Sequence, residues 1–244
     1  ALSVADEAES GEVFIFYQRP EKSFLGLFPR KNSRFYHYTN GEKTSQVNYR
    51  YSDSNEEFLT TEARLYNQYQ NYSGKENQRN FFLYFGHEIP DEEGNKYHRT
   101  LPDIEVNIET FSSGIQKFVT EDDQWYDLVT LSTCNNATPK MATHLMPFSR
   151  VLLASPQNLH LSHIDSQKLG LLESNPEISS FQLADSMASQ TYRRLEKEIQ
   201  TTITLSVYDL NIIKEYQNEL HNFVTAYGTL DQKQSFLNNS DCKH

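Results

Sequence analysis

The chain has 244 residues, 22 of them Lys or Arg and 33 Asp or Glu, for a formal net charge of −11. That acidic balance argues against nucleic acid and anionic membranes as partners, because both need clustered positive charge. No apolar run approaches the roughly 18 residues required to cross a bilayer, and two cysteines exclude a disulfide framework.

The length suits a substantial core. No internal repeat or low-complexity linker interrupts it, so a single domain over residues 1–230 is expected. A polar tail follows at 231–244; it carries Cys242 and reads as disordered. The opening ALSVADEAESGE has neither the basic start nor the apolar stretch of a signal peptide. A trimmed or mature chain would begin the same way, so the compartment stays open. Three N-x-S/T sequons, at Asn71, Asn136 and Asn238, matter only in a eukaryotic secretory pathway.

Elements alternate in type, which favours an α/β domain with a mostly parallel sheet. GEVFIFYQ (11–18) reads as a strand. Residues 34–52 read as two strands about Asn40-Gly41, the strongest short hairpin signal. Ser54 with Glu57 predicts a capping box, opening a helix that closes near Gly74. NFFLYFG (80–86) is a continuous apolar run, as a strand buried on both faces should be. The polar stretch DEEGNKYHRTLPD after it is too long for an ordinary connection and is a candidate functional loop. A short helix is expected over 109–119, then the buried strand WYDLVTLS. Thr138 and Pro139 suit an N-cap and first helical position. RVLLAS (150–155) is a third buried strand. Asn175 and Pro176 begin a long helix with Phe181, Ala184, Ala188 and Leu195 on one face. ITLSVYD (203–209) is a strand. Asp209 caps a last helix carrying Ile213, Tyr216, Leu220, Phe223 and Tyr227, stopped by Gly228.

The common nucleotide-binding and serine-hydrolase glycine motifs are absent. His87-Glu88 begins like a zinc-protease motif, but Asp91 stands where the second histidine belongs. His160 and His163 have no cysteine or further histidine nearby, so neither a metal nor another cofactor is expected. What remains is a pair of strand ends. His87 directly follows NFFLYFG, and Cys134 directly follows DLVTLST. Strands of an open parallel sheet end at one edge, and sites form there. Neighbouring strands would therefore bring His87 and Cys134 into one crevice. An imidazole and a helix N-terminus both favour the thiolate, the reactive form of cysteine, and the Thr138-Pro139 start supplies such a terminus. His87 precedes Cys134 by 47 residues, close to the roughly 50 between the same residues in caspases. A lone cysteine at a strand end also suits simple packing; the two ordered strand ends are what favour catalysis.

An apolar block ending in His, another ending in Cys, then a strand ending in Ala-Ser resembles the clostripain family of cysteine peptidases, relatives of caspases, gingipains and legumains. CNNATPKMATHLMPFSRVLLASPQNL resembles the family's passage from nucleophile through a short helix to the next strand. FQLADSMASQTY with TLSVYDL resembles its later helix and strand. The likeness covers roughly residues 80 to 228. It implies a caspase-like three-layer α/β/α sandwich with a mostly parallel sheet, acting as a monomer on a peptide or protein substrate. It further implies Cys134 as nucleophile and His87 as general acid, with backbone N–H groups of Gly86, Glu88 and Cys134 as candidates for holding the oxyanion. The resemblance favours a secreted, periplasmic or cell-surface location.

Three departures matter. Glu88 follows His87 where the family has Gly, and Glu tolerates fewer backbone conformations. Ser132 stands where the family carries the aspartate that selects Arg or Lys, so the reason for basic specificity is missing. The family's usual opening strand and helix are not evident before GEVFIFY. An active peptidase with altered specificity, a catalytically silent peptide- or protein-binding relative, and an α/β domain of another class all stay open. Fifteen Tyr and fifteen Phe are expected to fill the core, with Tyr36, Tyr38, Tyr49 and Tyr51 in cross-strand pairs. The loop after RVLLAS borders the expected site, where Ser132, Asn158 and His160 are candidates for contacting substrate.

Overall fold

A computed structural model describes residues 1–19, 23–24, 28–29, 33–50, 57–71, 78–91, 106–119, 125–159, 163–199 and 203–228. Gly74, Tyr51, Ser54, His160, Cys242, most of the polar stretch after Asp91 and the tail from 229 lie outside them. The chain forms two units, Ala1–Leu210 and Asn211–His244.

The first unit opens with a short helix α1 (Leu2–Asp6) and strand β1 (Glu12–Tyr17), then a small pair, β2 (Ser23–Phe24) with β3 (Phe28–Pro29). β4 (Ser33–Thr39) and β5 (Glu42–Tyr49) form the expected hairpin. Asn40 and Gly41 both have positive φ, 50° and 78°, as a type I′ turn requires. A Cβ on Gly41 would sit 2.9 Å from the Ala8 carbonyl oxygen, so glycine is required there on two counts. β1, β4 and β5 make an antiparallel sheet of their own in the order β1-β4-β5. Tyr36 and Tyr38 lie opposite Ile15 and Val13 of β1 rather than opposite other tyrosines. Helix α2 (Thr60–Tyr69) begins well after Ser54; it starts from Leu59, whose φ of 60° is left-handed.

The second sheet carries the site. β6 (Phe81–Phe85), β7 (Leu128–Ser132), β8 (Val151–Ala154) and β9 (Ser206–Asp209) lie in that order. β6, β7 and β8 are parallel, and β9 runs antiparallel to β8. The connections are α3 (Ile108–Gln116), α4 (Pro139–Leu145), α5 (Leu171–Ser174) and α6 (Ser180–Ile199). Side chains alternate between the faces of a strand, and here both faces are covered. Phe82 and Tyr84 meet Phe118, Tyr126 and Phe111 on the α3 side, where α4 lies beside α3. Phe81 and Leu83 pack on the opposite face with Leu128, Leu153, Leu183 and Met187. Each of the last four is fully buried, which contributes about 1.5–3 kcal/mol apiece. This is the three-layer α/β/α arrangement that the resemblance implies, with a mostly parallel sheet.

Two expectations on α6 change. Its first helical residue is Ser180, not Asn175 or Pro176, because Ser179 and Gln182 form a reciprocal side-chain cap. Phe181, expected on the buried face, is exposed, while Ala184 and Leu195 are fully buried.

The second unit contains α7 (Ile213–Gly228). Tyr216, Leu220 and Phe223 along it are exposed, and Phe223 stacks on Tyr227 at 6.2 Å.

Candidate active site at the ends of two parallel strands

The His87 and Cys134 segments run side by side in one continuous register. It starts before the strands: the Asp127 N–H donates to the Asn80 carbonyl at 2.8 Å, and the Asn80 N–H donates to the Asp127 carboxylate at 2.9 Å. Through the strands, Phe81 pairs with Leu128 and Phe85 with Ser132. Past the strand ends the pairing passes to side chains. The Asn135 amide donates to Glu88 Oε2 at 2.7 Å. Asn136 Oδ1 accepts from the Ile89 N–H at 2.9 Å, and Asn136 Nδ2 donates to the Ile89 carbonyl at 2.8 Å. All these partners are 47 residues apart. His87 and Cys134 are the matched position bracketed within this series.

Each of the two sits next to a distinctive backbone feature. Gly86, immediately before His87, donates its N–H to the Ser132 carbonyl at 3.4 Å. A Cβ on Gly86 would fall 2.8 Å from the ring of Tyr84, which explains glycine there. Asn135, immediately after Cys134, has φ 54°, a left-handed conformation that asparagine tolerates better than most residues. That turn takes the chain off the strand axis and frees the Asn135 amide to reach both Glu88 and, at 3.2 Å, Asn158 Oδ1. His87 and Glu88 are exposed, and Cys134 is half-buried.

The segment after β8 forms the third wall. Its Gln157 carbonyl accepts from the Asn135 N–H at 3.2 Å, and the Ser155 carbonyl accepts from the Ala137 N–H at 2.9 Å. The Leu159 N–H donates to Cys134 Sγ at 3.4 Å. Leu159 is itself 2% exposed and belongs to the core under α6, so this donor is fixed. Ser132 is 2% exposed, and its Oγ accepts from the Ile164 N–H at 2.9 Å. In this arrangement the Ser132 hydroxyl anchors the chain at Ile164. Beyond Cys134, Thr138 caps α4 by accepting from the Met141 N–H at 3.1 Å, with Pro139 at the first position. Lys140 Nζ reaches the Asp91 carbonyl from the start of α4, a further tie between the two loops.

Of the sequence candidates, the structure thus gathers the segments of Gly86, His87, Glu88, Ser132, Cys134 and Asn158 at one sheet edge; His160 lies outside the described residues. Sequence reasoning missed Asn135, Asn136 and the Leu159 N–H. The signal was present for the first two: they sit as far from Glu88 and Ile89 as Cys134 sits from His87. Among the described residues, no group of three His, Cys, Asp or Glu side chains gathers to hold a metal ion. No helix among the described residues is long and apolar enough to cross a membrane.

No sequence-family model and no curated protein matches the chain. Solved structures do. An inactive zymogen C11 protease from Parabacteroides distasonis superimposes with a TM-score of 0.58 at 12% identity, covering 88% of this chain and 57% of that one. The fold is that of the C11, clostripain-family, cysteine proteases. A secreted C11 cysteine protease from Bacteroides thetaiotaomicron, bound to an irreversible peptide inhibitor, gives 0.57 at 9% identity over 87% of this chain and 61% of its own. A secreted C11 cysteine protease from the same organism, "iotapain", gives 0.53 at 14% identity over 75% and 53%. This chain therefore spans little more than half the length of these C11 structures.

Proposed function

We propose that the chain is a cysteine endopeptidase in which Cys134 is the nucleophile and His87 its acid–base partner. The observation that carries this reading is the unbroken register from Asn80/Asp127 to Ile89/Asn136, which brackets His87 and Cys134 at one level of a C11-type sheet. The Cys134 thiolate attacks the scissile carbonyl carbon, and the carbonyl oxygen becomes an oxyanion held by the N–H groups of Glu88 and Cys134. The Gly86 N–H, the third expected donor, points instead at the Ser132 carbonyl. Collapse of the tetrahedral intermediate breaks the C–N bond as the His87 imidazolium gives its proton to the leaving amine. The remaining thioester is attacked by water, which loses a proton to His87. The thiolate departs, leaving a free carboxylic acid and the regenerated pair.

Ser132 brings no charge to the position expected to meet the P1 side chain, so cleavage after uncharged residues is proposed. The substrate is a peptide or protein, and the secreted C11 neighbours support a secreted location. Peptide mapping after brief iodoacetamide treatment near neutral pH tests the pair. Cys134 is expected to label faster than a free thiol, and His87→Ala to remove that advantage; equal rates in both proteins would sink the assignment.

A silent, peptide-binding relative is the second reading. It is favoured by the Glu88–Asn135 hydrogen bond across the two loops and by the Leu159 N–H on Cys134 Sγ. Slow labelling of a reduced Cys134 would support it.

A further inference from the structure

Asn136 is 1% exposed, and its primary amide pairs with the main chain of Ile89 through both its donor and its acceptor. An amide used this way substitutes for a strand peptide. It extends the β6–β7 ladder beyond the point where the backbone has already turned at Asn135. Thr133 fixes which way the amide faces: its Oγ1 donates to Asn136 Oδ1 at 2.6 Å, so the oxygen receives two donors and the nitrogen is left for the Ile89 carbonyl. Ile89 is 1% exposed, so water cannot replace either bond. On the β6 side only His87 and Glu88 lie between the Gly86 N–H bonded to Ser132 and the pinned Ile89. On the β7 side only Thr133, Cys134 and Asn135 lie between Ser132 and Asn136. Both short spans are held at each end.

We infer that Asn136 is a positioning residue that sets the separation of His87 and Cys134 by clamping the end of the His87 segment to the end of the Cys134 segment. This rests on the cysteine-peptidase reading above. A displacement of about 1 Å in a reacting pair can cost about 100-fold in rate, so a clamp of this kind acts on turnover rather than on substrate affinity. The same burial commits the Asn136 amide, which is therefore not a glycosylation acceptor although it heads an N-x-T sequon.

The test uses the full chain with Asn136→Asp, Thr133→Val and Cys134→Ala, and kcat and KM are normalised to the folded fraction from circular dichroism. At pH 7.5, Asn136→Asp is expected to lower kcat about 10- to 100-fold, with KM within about threefold of wild type. The ionised carboxylate keeps the acceptor for Ile89 but faces the Ile89 carbonyl without a proton. Burial and the facing Ile89 carbonyl raise that carboxyl's pKa above the ordinary aspartate range, so lowering the pH to 5 protonates part of it, restores a donor and shrinks the deficit relative to wild type. Thr133→Val, which keeps the side-chain shape, gives a smaller loss of kcat in the same direction and serves if Asn136→Asp does not fold. Normal kcat per folded molecule in the folded variants overturns the proposal while leaving the peptidase reading intact. Unchanged cleavage by Cys134→Ala overturns both.

Discussion

Ser132 is the residue at which stability and specificity can be separated. Its Oγ is the acceptor for the buried Ile164 N–H at 2.9 Å, and Ser132 and Ile164 are 2% and 1% exposed. Ser132→Ala removes the acceptor and leaves the amide sealed from water, which costs about 1–3 kcal/mol. For a chain of this size that is about 2–4 °C in Tm per kcal/mol. Urea unfolding gives the free energy, and hydrogen exchange at the Ile164 amide reports the site itself; that amide is expected to lose protection beyond the global change. Ser132→Asp keeps an acceptor but adds a carboxylate. An ion pair at about 4 Å is worth about 4 kcal/mol at an effective dielectric constant of 20. Much of this is offset by desolvation. A gain of about 10- to 100-fold for Arg or Lys over uncharged P1 residues is therefore expected, measured as the ratio of kcat/KM values on matched peptides. Ser132→Ala within 0.5 kcal/mol of wild type, with Ile164 protection intact, would refute the anchoring role. A folded, active Ser132→Asp with an unchanged preference would refute the placement of the P1 side chain.

Other consequences are equally open to measurement. Gly86→Ala puts a methyl within 2.8 Å of the Tyr84 ring, which already packs on Phe111. It should cost about 1–3 kcal/mol by urea unfolding, and Tyr84→Ala in the same chain should remove most of that penalty in a double-mutant cycle. Gly41→Ala, forced into a φ of 78° beside the Ala8 carbonyl, should lower Tm through a loss of at least about 1 kcal/mol. Tyr126 donates its hydroxyl to the Ile115 carbonyl at 2.8 Å, and burial pushes its pKa well above the ordinary tyrosine value. The native state therefore keeps this proton after the unfolded chain has lost it. Stability should fall as pH rises above about 10, and Tyr126→Phe should flatten that fall in urea titrations from pH 9 to 11.

The parts of the fold that the sequence announced are those set by local chemistry. Asn40-Gly41 favours one hairpin turn, Thr138-Pro139 starts a helix, and the apolar run before Cys134 is buried throughout; the run before His87 forms its strand but, at the sheet edge, is only half-buried, with Phe85 39% exposed. Tertiary contact overrode the reading elsewhere. Lys117 reaches the Phe58 carbonyl and Thr60 Oγ1, and Gly114 admits Phe58 closely; α2 accordingly begins at Thr60. The start of α6 was legible in Ser179 and Gln182, but Asn175-Pro176 gave a stronger and misleading signal. At the site, the spacing of His87 and Cys134 pointed to a pair. The asparagines that tie their loops together share that same spacing to Glu88 and Ile89, but the spacing gains meaning only once the two strands are aligned in register.

Cleavage itself is the most direct measurement. A mixed peptide library incubated with wild type and with Cys134→Ala, and read by mass spectrometry, should show internal cuts from the wild type alone, clustered after uncharged residues. An identical product set from the two proteins would contradict the assignment of Cys134 as nucleophile.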